Sequence, residues 1–248
     1  MIRVIAWREL RNLWLSPLGW GVAAVTQLIQ GLVFYRLVQA YQAAPVTEGV
    51  KAGASYNIAG LFLGTTGYLG LLLVPLLTMG LISGERRQRS LTLLTSAPVS
   101  PTDIVLGKYL GVLGYLALLL ALLAVMPLAL CTATTLDLGL LAAAWFGVFL
   151  LLAAYTALGL FCSAWAARPA TAAAATVVVL LLFWVGERLT GTGITWLDAA
   201  LHYLAVFQHY EPMLRGEVDT ADVSYFLVFI GLFLALAVQR MRAEGERP

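Results

Sequence analysis

The sequence predicts an all-α integral membrane protein with six transmembrane helices. Of its 248 residues, 61% are hydrophobic and only 11% are charged, whereas about 25% of the residues in a soluble domain are charged. The mean hydropathy is +0.88, and several apolar segments approach the roughly 20 residues that a membrane-spanning helix needs. These observations indicate a single transmembrane domain over residues 1–248.

Six segments form the predicted spans. They are Pro17–Ala40, Ile58–Ser83, Ile104–Cys131, Leu138–Ala166, Thr171–Val185 and Val223–Val238. The fifth segment is short, and the first contains Gln27 and Gln30. Side-chain amides inside a span either line a path for a transported molecule or form hydrogen bonds between helices. Both interpretations apply to these two glutamines.

Residues 1–15, before the first span, predict an amphipathic helix at the membrane surface. At 100° per residue, one side gathers the apolar residues and the other gathers Arg8, Glu9, Arg11 and Asn12. The apolar side consists of Ile2, Ala6, Trp7, Leu10, Leu13 and Trp14. Tryptophan favours the headgroup depth of a bilayer, and arginine favours anionic lipid.

The distribution of lysine and arginine predicts the orientation. With the N-terminus inside, eleven of the fifteen basic residues lie on the cytoplasmic side. The four on the outer side are Arg36, Lys51, Arg188 and Arg215. Because cytoplasmic loops carry an excess of lysine and arginine, both termini and residues 84–103 are predicted to be cytoplasmic.

The connection between the second and third spans is longer and more structured than a simple loop. A leucine-rich stretch, Ser90–Ala97, lies between Arg89 and Pro98 and predicts a short separate helix. Ser100 and Pro101 then match the N-cap and the first position of a new helix, with Asp103 in the capping-box position.

Residues 186–221 predict one or two short helices that enter the outer leaflet without crossing it. Thr195–Asp198 reads as a capping box that opens an apolar run, and the run is expected to end near Glu211 and Pro212. The acidic stretch Asp219–Asp222 is then expected to cap the last span.

Sequence signatures of catalysis are missing. Gly107-Lys108 lacks the rest of a phosphate-binding loop, and no G-x-S-x-G sequence occurs. His202, His209 and Glu211 could ligate a metal, but hydrogen-bonded or solvated side chains are the favoured interpretation, and no metal is predicted. Cys131 and Cys162 read as small buried hydrophobic residues.

Few charges fall within the spans. Arg36, Lys108, Glu187 and Arg188 lie near span ends, where long side chains can extend to the membrane surface. The glycine pairs Gly60/Gly64 and Gly107/Gly111 have the four-residue spacing that allows close helix packing.

The chain resembles the membrane subunits of ABC-2 type transporters. The resemblance is carried by an acidic residue, a basic cluster, a leucine-rich run with Thr-x-x-Pro, and a Gly-Lys in the third span. This chain supplies Glu85, Arg86, Arg87, Arg89, Leu91, Leu93, Leu94, Thr95, Pro98, Ile104, Val105, Gly107 and Lys108. Together with the stretch from Tyr203 to Tyr225, these residues are most similar to gliding-motility-type permeases. Arg89-Ser90 and Thr92 depart from the family pattern, which has Gly-Thr and a glutamate there.

The resemblance implies a coupling helix at Ser90–Ala97 that docks into a separate cytoplasmic ABC ATPase. The implied ATPase contacts are Glu85, Arg86, Arg87, Arg89, Ser90, Leu91, Leu93, Leu94, Thr95 and Pro98. ATP and magnesium would bind the partner, and this chain would bind no cofactor. A second permease subunit, as a homodimer or heterodimer, membrane lipids, and an auxiliary extracytoplasmic subunit are further implied partners, whereas nucleic acid is not.

The implied function is to couple ATP hydrolysis to export or mechanical work across a bacterial inner membrane, by a subunit that is itself no enzyme. Two alternatives remain open at the level of sequence. One is an ATP-independent membrane scaffold or assembly factor that uses the same segment for another partner. The other is an integral-membrane enzyme, which the lack of paired acids and nucleophiles disfavours.

Overall fold

The structure is a computed structural model that describes residues 1–43, 53, 55–87, 100–130, 135–188 and 205–245. These residues are almost entirely helical, and none of them forms a β-strand. The helices are α1 (Ile2–Leu15), α2 (Pro17–Ala43), α3 (Gly64–Thr78), α4 (Ser83–Arg87), α5 (Pro101–Ala129), α6 (Leu138–Trp165), α7 (Pro169–Arg188), α8 (Val206–Leu214) and α9 (Thr220–Gly245). A π-helical turn, Ile58–Leu63, leads into α3.

Five helical stretches in the described part are long and apolar enough to cross a membrane. They are Pro17–Ala43, Ser55–Arg87, Pro101–Ala129, Leu138–Trp165 and Thr220–Glu244. Each overlaps a predicted span along most of its length, and the ends differ by a few residues. The predicted fifth span, Thr171–Val185, falls in α7, whose apolar part Pro169–Val185 is shorter than the other five.

Capping explains where several of these helices begin. Ser100 Oγ accepts a hydrogen bond from Asp103 N at 3.1 Å, and Pro101 occupies the first turn of α5, as the sequence predicts. Asp219 likewise accepts from Ala221 N at 3.1 Å at the start of α9. Asp137 accepts from Gly139 N and Leu140 N at the start of α6. These side chains satisfy backbone donors that the first helical turn leaves unpaired.

The helix that the sequence predicts to end near Glu211 and Pro212 ends close to them. Both residues lie inside α8, which continues to Leu214. Gly216 follows the C-cap of α8, and its φ of +87° is a left-handed conformation that terminates helices and favours glycine. The predicted start of this apolar run at Thr195–Asp198 lies outside the described residues.

Helix α6 forms the centre of the bundle. Its residues from Val148 to Leu160 are nearly all buried, and it packs against α3, α5, α7, α8 and α9. Gly159 lies so close to α3 that a Cβ there would meet Thr78 Oγ1. By contrast, α2 and α9 are mostly exposed, with 17% and 22% of their apolar windows buried. The exposed surface of these outer helices is apolar, as expected for contact with lipid.

The two ends of the bundle differ in charge. One end, which we call the basic end, carries Arg86, Arg87, Lys108, Arg240 and Arg242 near the start of α5 and the ends of α6 and α9. The opposite end, the acidic end, carries Asp137, Glu211, Glu217, Asp219 and Asp222 near the start of α6 and around α8. This separation matches the sidedness that the sequence predicts.

Helix α1 runs lengthwise along the first turns of α5. The closest approaches pair Ile5 with Gly107, Glu9 with Gly111 and Leu10 with Gly114, so both helices advance in the same direction. A Cβ on Gly107 or Gly111 would lie 2.7 or 2.6 Å from the partner's Cβ, which confirms close packing at this glycine pair. The expectation is wrong for the other pair, since a Cβ on Gly60 would meet no neighbouring helix within 4 Å and one on Gly64 would meet only the end of the Leu214 side chain at 3.8 Å.

Candidate functional site

The second span does not remain a regular helix to its end. After Thr78 the chain forms a turn over 79–82 and restarts as α4. Ser163 of α6 fills the interruption, because its Oγ accepts hydrogen bonds from Ile82 N at 3.1 Å and Ser83 N at 3.2 Å and donates to Met79 O at 3.0 Å. The interrupted segment is thereby fixed to the central helix.

Arg86, in α4, holds the end of α6. Its guanidinium donates to Ala166 O at 2.7 Å and to Ala164 O at 2.8 Å, and it pairs with Glu244 near the end of α9. The last carbonyls of a helix have no intrahelical partner and carry partial negative charge, so a cation there is favourable. One side chain therefore joins α4, α6 and α9.

Glu85, the neighbouring residue, belongs to an ion cluster in which Lys108 is buried and Arg8 is half exposed. Lys108 Nζ of α5 lies 2.7 Å from Glu85 Oε1 and 2.9 Å from Glu9 Oε1 of α1. Arg8 approaches the same two carboxylates at 3.3 Å from Glu9 and 3.5 Å from Glu85. The Lys108 side chain is only 1% exposed, so its charge must be compensated within the protein. Two cations and two anions meet where α1, α4 and α5 come together, and their charges balance.

This cluster corrects two expectations. Lys108 does not extend to the membrane surface, because the two carboxylates compensate its charge within the bundle. Glu9 is not on an exposed polar face of α1, since the face that packs on α5 is formed by Ile5, Glu9 and Leu13. A buried charge persists where partners replace its lost hydration, and Lys108 supplies that partner to Glu9.

The remaining predicted ATPase contacts divide into two groups. Arg87 is exposed at the end of α4, next to the anchored Glu85 and Arg86. The others lie outside the described residues: Arg89, Ser90, Leu91, Leu93, Leu94, Thr95 and Pro98. The predicted coupling helix Ser90–Ala97 therefore begins just beyond a firmly held segment. A cavity of ≈ 510 Å³ opens beside the ion cluster, between α1 and the end of the second span.

Gln30 joins the first span to the second. Its Nε2 donates to Phe62 O at 3.0 Å and to Thr66 Oγ1, and the side chain is fully buried. Phe62 lies in the π-helical turn, where the carbonyl also accepts from Thr66. Gln27 differs, because its buried Nε2 has no hydrogen-bond partner within the described part. Gln30 therefore forms hydrogen bonds between helices, whereas the side-chain amide of Gln27 has a donor nitrogen without a partner among the described residues.

Helix α8 is fixed at the acidic end. His209 Nδ1 lies 2.7 Å from Asp222 Oδ1, and its ring stacks on Tyr225 of α9 at 4.0 Å. Tyr210 donates a hydrogen bond to Leu63 O at 2.9 Å. Burial is the main reason why the pKa of its phenol is raised well above the usual value, and the neighbouring Tyr68 adds to the effect. Glu211 pairs with Arg215 one turn along α8. No group of three potential metal ligands occurs among the described residues.

A cavity of ≈ 230 Å³ lies between α8 and the start of the second span. Its walls include Tyr68, Trp184, Phe207 and Tyr210, and Tyr68 stacks on Phe207 with ring centroids 4.7 Å apart. Gly60 and Gly64 also line this cavity, and their lack of a side chain leaves space for it. The predicted ligand candidate His202 lies outside the described residues.

Sequence reasoning missed three residues of the basic end: Glu9, Ser163 and Glu244. Each contacts a residue at least 80 positions away in the chain. One usable signal was present, because Gly107 and Gly111 flank Lys108 and predict a helix packed closely beside it. If the amphipathic segment, residues 1–15, is that helix, Glu9 is its acidic residue and can pair with Lys108.

The comparison with known protein families agrees with this architecture. The model of the family described as ABC-2 family transporter protein matches residues 26–212. No curated protein matches the chain. The matched residues extend from the first span to α8 and include Glu85, Arg86 and Lys108, whereas α1 and α9 lie outside them. Because the match covers most of the 248 residues, the chain belongs to the ABC-2 transporter family.

Proposed function

We propose that this transporter membrane subunit couples ATP hydrolysis by a separate cytoplasmic ABC ATPase to export or mechanical work across the bacterial inner membrane. ATP and magnesium bind the partner. A second permease subunit completes the membrane part, as a homodimer or heterodimer, and an auxiliary extracytoplasmic subunit is a further candidate. Membership of the gliding-motility-type subgroup is part of the proposal and rests on the sequence resemblance.

The observation that carries the proposal is the anchoring of Glu85 and Arg86. These residues immediately precede the predicted coupling segment, and they are held by α1, α5, α6 and α9. A displacement of residues 88–99 by an ATPase would therefore act on four helices at once. Packed interfaces of this kind transmit small shifts as rigid movements of whole elements.

The proposed topology has six spans, with α7 as the fifth. Its 20 residues correspond to about 30 Å of helix, which is the thickness of the hydrocarbon core. An even number of spans would place both chain ends on one side. In agreement, α1 and the end of α9 both contact the basic end, through Lys108 and Arg86 respectively.

Charge reversal at the coupling segment tests the proposal. In a membrane reconstitution with the candidate ATPase from a neighbouring gene, wild-type chain is expected to stimulate ATP hydrolysis. The R87E/R89E variant is expected to lower that stimulation more than about tenfold, because like charges at an interface oppose docking. Arg87 is exposed, so its replacement disturbs no contact that holds the bundle.

Two controls make the result specific. R215E reverses an exposed charge at the acidic end and should leave stimulation unchanged. Thermal unfolding of R87E/R89E should match that of the wild type. If the chain co-purifies with no ATPase, or if R87E/R89E stimulates as well as wild type, the coupling function is wrong. The first of these outcomes would favour the scaffold alternative.

A further inference from the structure

An open apolar groove runs between α1 and α5, on the side of α1 that faces away from the ion cluster. Trp7, Arg11 and Trp14 form its α1 edge, and Gly114, Ala117 and Leu118 form its floor on α5. Its volume of ≈ 780 Å³ lies within the range of about 300–1,000 Å³ that small-molecule sites occupy. The groove therefore has room for a ligand of lipid size.

The α1 edge of the groove is preformed. Trp14 packs against Trp20 of α2 with ring centroids 5.5 Å apart and against Tyr115 of α5 at 6.3 Å. Tyr115 is itself fixed, because its hydroxyl donates to Gly19 O at 2.7 Å. Trp7 lies two turns earlier on the same face and is 67% exposed. Tryptophan side chains favour the region where lipid headgroups meet acyl chains.

Arg11 gives the groove a positive charge. It makes no hydrogen bond or ion pair with any described residue, in contrast to Arg8, which contacts Glu9 and Glu85. Side chains on a helix lean toward its N-terminus, so Arg11 leans toward the basic end. A cation placed between two exposed tryptophans at an apolar groove matches an anionic headgroup whose tail enters the groove.

The floor continues into an apolar track along α5. Leu118, Leu122 and Val125 follow at one-turn spacing, and each is about half exposed or more. An acyl chain could lie along these side chains as it leaves the groove. The track belongs to the apolar span Pro101–Ala129, which is long enough to cross a membrane, so a water-soluble partner would have little contact with it.

We propose that the groove between α1 and α5 binds one anionic phospholipid. Its phosphate contacts Arg11, its glycerol region lies between Trp7 and Trp14, and one acyl chain lies over Gly114 and Ala117 toward Leu122. None of the residues that line the groove is among the predicted ATPase contacts. Its occupant would add to the packing of α1 on α5 from the side opposite Lys108.

Native mass spectrometry of the purified full chain tests this site. After delipidation, the chain is mixed with dioleoylphosphatidylglycerol or with dioleoylphosphatidylcholine, and the bound lipid is counted. Wild type should retain one phosphatidylglycerol more strongly than phosphatidylcholine. R11Q should weaken phosphatidylglycerol binding about fivefold, the effect expected for one cation near a membrane surface, and leave phosphatidylcholine unchanged.

A second variant tests the groove itself. Ala117 is exposed, so A117F fills the floor without a clash inside the bundle and should reduce the retention of both lipids. R36Q and V228F are the matched controls, because they change an exposed arginine and an exposed apolar residue elsewhere. Thermal unfolding without added lipid should be the same for all variants.

The proposal would be overturned by equal retention of the two lipids by wild type, by unchanged phosphatidylglycerol binding by R11Q, or by unchanged binding by A117F. A lipid-free dimer of wild type, which A117F converts to monomer, would also overturn it, because the groove would then be occupied by a second copy of the chain.

Discussion

Lys108 shows how one residue can carry a charge inside a span. An isolated charge at the centre of a membrane helix costs about 2.5–3.5 kcal/mol on insertion scales, yet Lys108 is buried with its Nζ within 3 Å of Glu9 and Glu85. Removing one member of such a cluster is more costly than removing the whole cluster, because an uncompensated charge remains. The cluster therefore acts as a specific connection among α1, α4 and α5.

Replacement of Lys108 by methionine should destabilise the protein. K108M leaves Glu9 and Glu85 beside each other, with Arg8 as the remaining cation, and the free energy of unfolding in detergent should fall by about 3–5 kcal/mol. R36M, which removes an exposed charge, should change it by less than about 0.5 kcal/mol. If the cluster is responsible, the combined variant E9Q/E85Q/K108M should be more stable than K108M. A K108M protein as stable as wild type would contradict this account.

At the scale of elements, close helix contact depends on glycine and on hydrogen bonds at interruptions. Gly107 and Gly111 let the α1 backbone approach α5, which brings Glu9 to Lys108. Ser163 connects the turn over 79–82 to α6, because its hydroxyl accepts hydrogen bonds from the backbone N–H groups of Ile82 and Ser83. Both contacts hold α4, which precedes the predicted coupling segment, against the bundle.

The G111A substitution tests the α1–α5 contact. Its Cβ would lie 2.6 Å from Glu9 Cβ and 2.9 Å from the backbone oxygen of Ala6, and backbone atoms cannot move aside without shifting α1. Overpacking of this kind costs about 1–3 kcal/mol of unfolding free energy. G231A, whose added methyl meets nothing within 4 Å, should be neutral or stabilising by up to about 1 kcal/mol. Equal thermal stabilities for the two variants would show that α1 does not pack this closely.

For the whole molecule, charge and topology give the same polarity. The basic end joins the start of α5 to the end of α9, since Arg242 contacts Thr102 at 3.4 Å and Arg240 lies 4.8 Å from the ring centre of Trp165. The acidic end holds α8 through His209, Asp222 and Gly216. Positive charge favours the cytoplasmic side during insertion, so we expect the basic end to face the cytoplasm.

Cysteine labelling tests this orientation. In a background with Cys131 and Cys162 replaced by alanine, V218C at the acidic end and A243C at the basic end are both exposed sites. A membrane-impermeant maleimide should label V218C in intact spheroplasts and A243C only after permeabilisation. The reverse pattern would invert the orientation, and labelling of both sites in intact spheroplasts would mean that both lie outside and that α9 does not cross the membrane.

The sequence was most informative where a signal was local. The apolar segments, the Ser100 and Asp219 caps, and the Gly107/Gly111 spacing each depend on neighbouring residues, and the structure agrees with them. Predictions failed where a distant partner changed the outcome. The amphipathic pattern put Glu9 among the exposed polar residues, because nothing within residues 1–15 shows that Lys108 lies opposite.

The sequence by itself determined the class of protein, the position of five long apolar spans, the polarity of charge and, through its resemblance, the ABC-2 family. These properties depend on composition and on periodicity within single segments. Only the tertiary structure decided which charges are compensated, because Glu85 and Arg86 have the same sequence context as the exposed Arg87. The packing of α1, α5, α6 and α9 around them separates the residues that hold the bundle from the one that remains free to meet a partner.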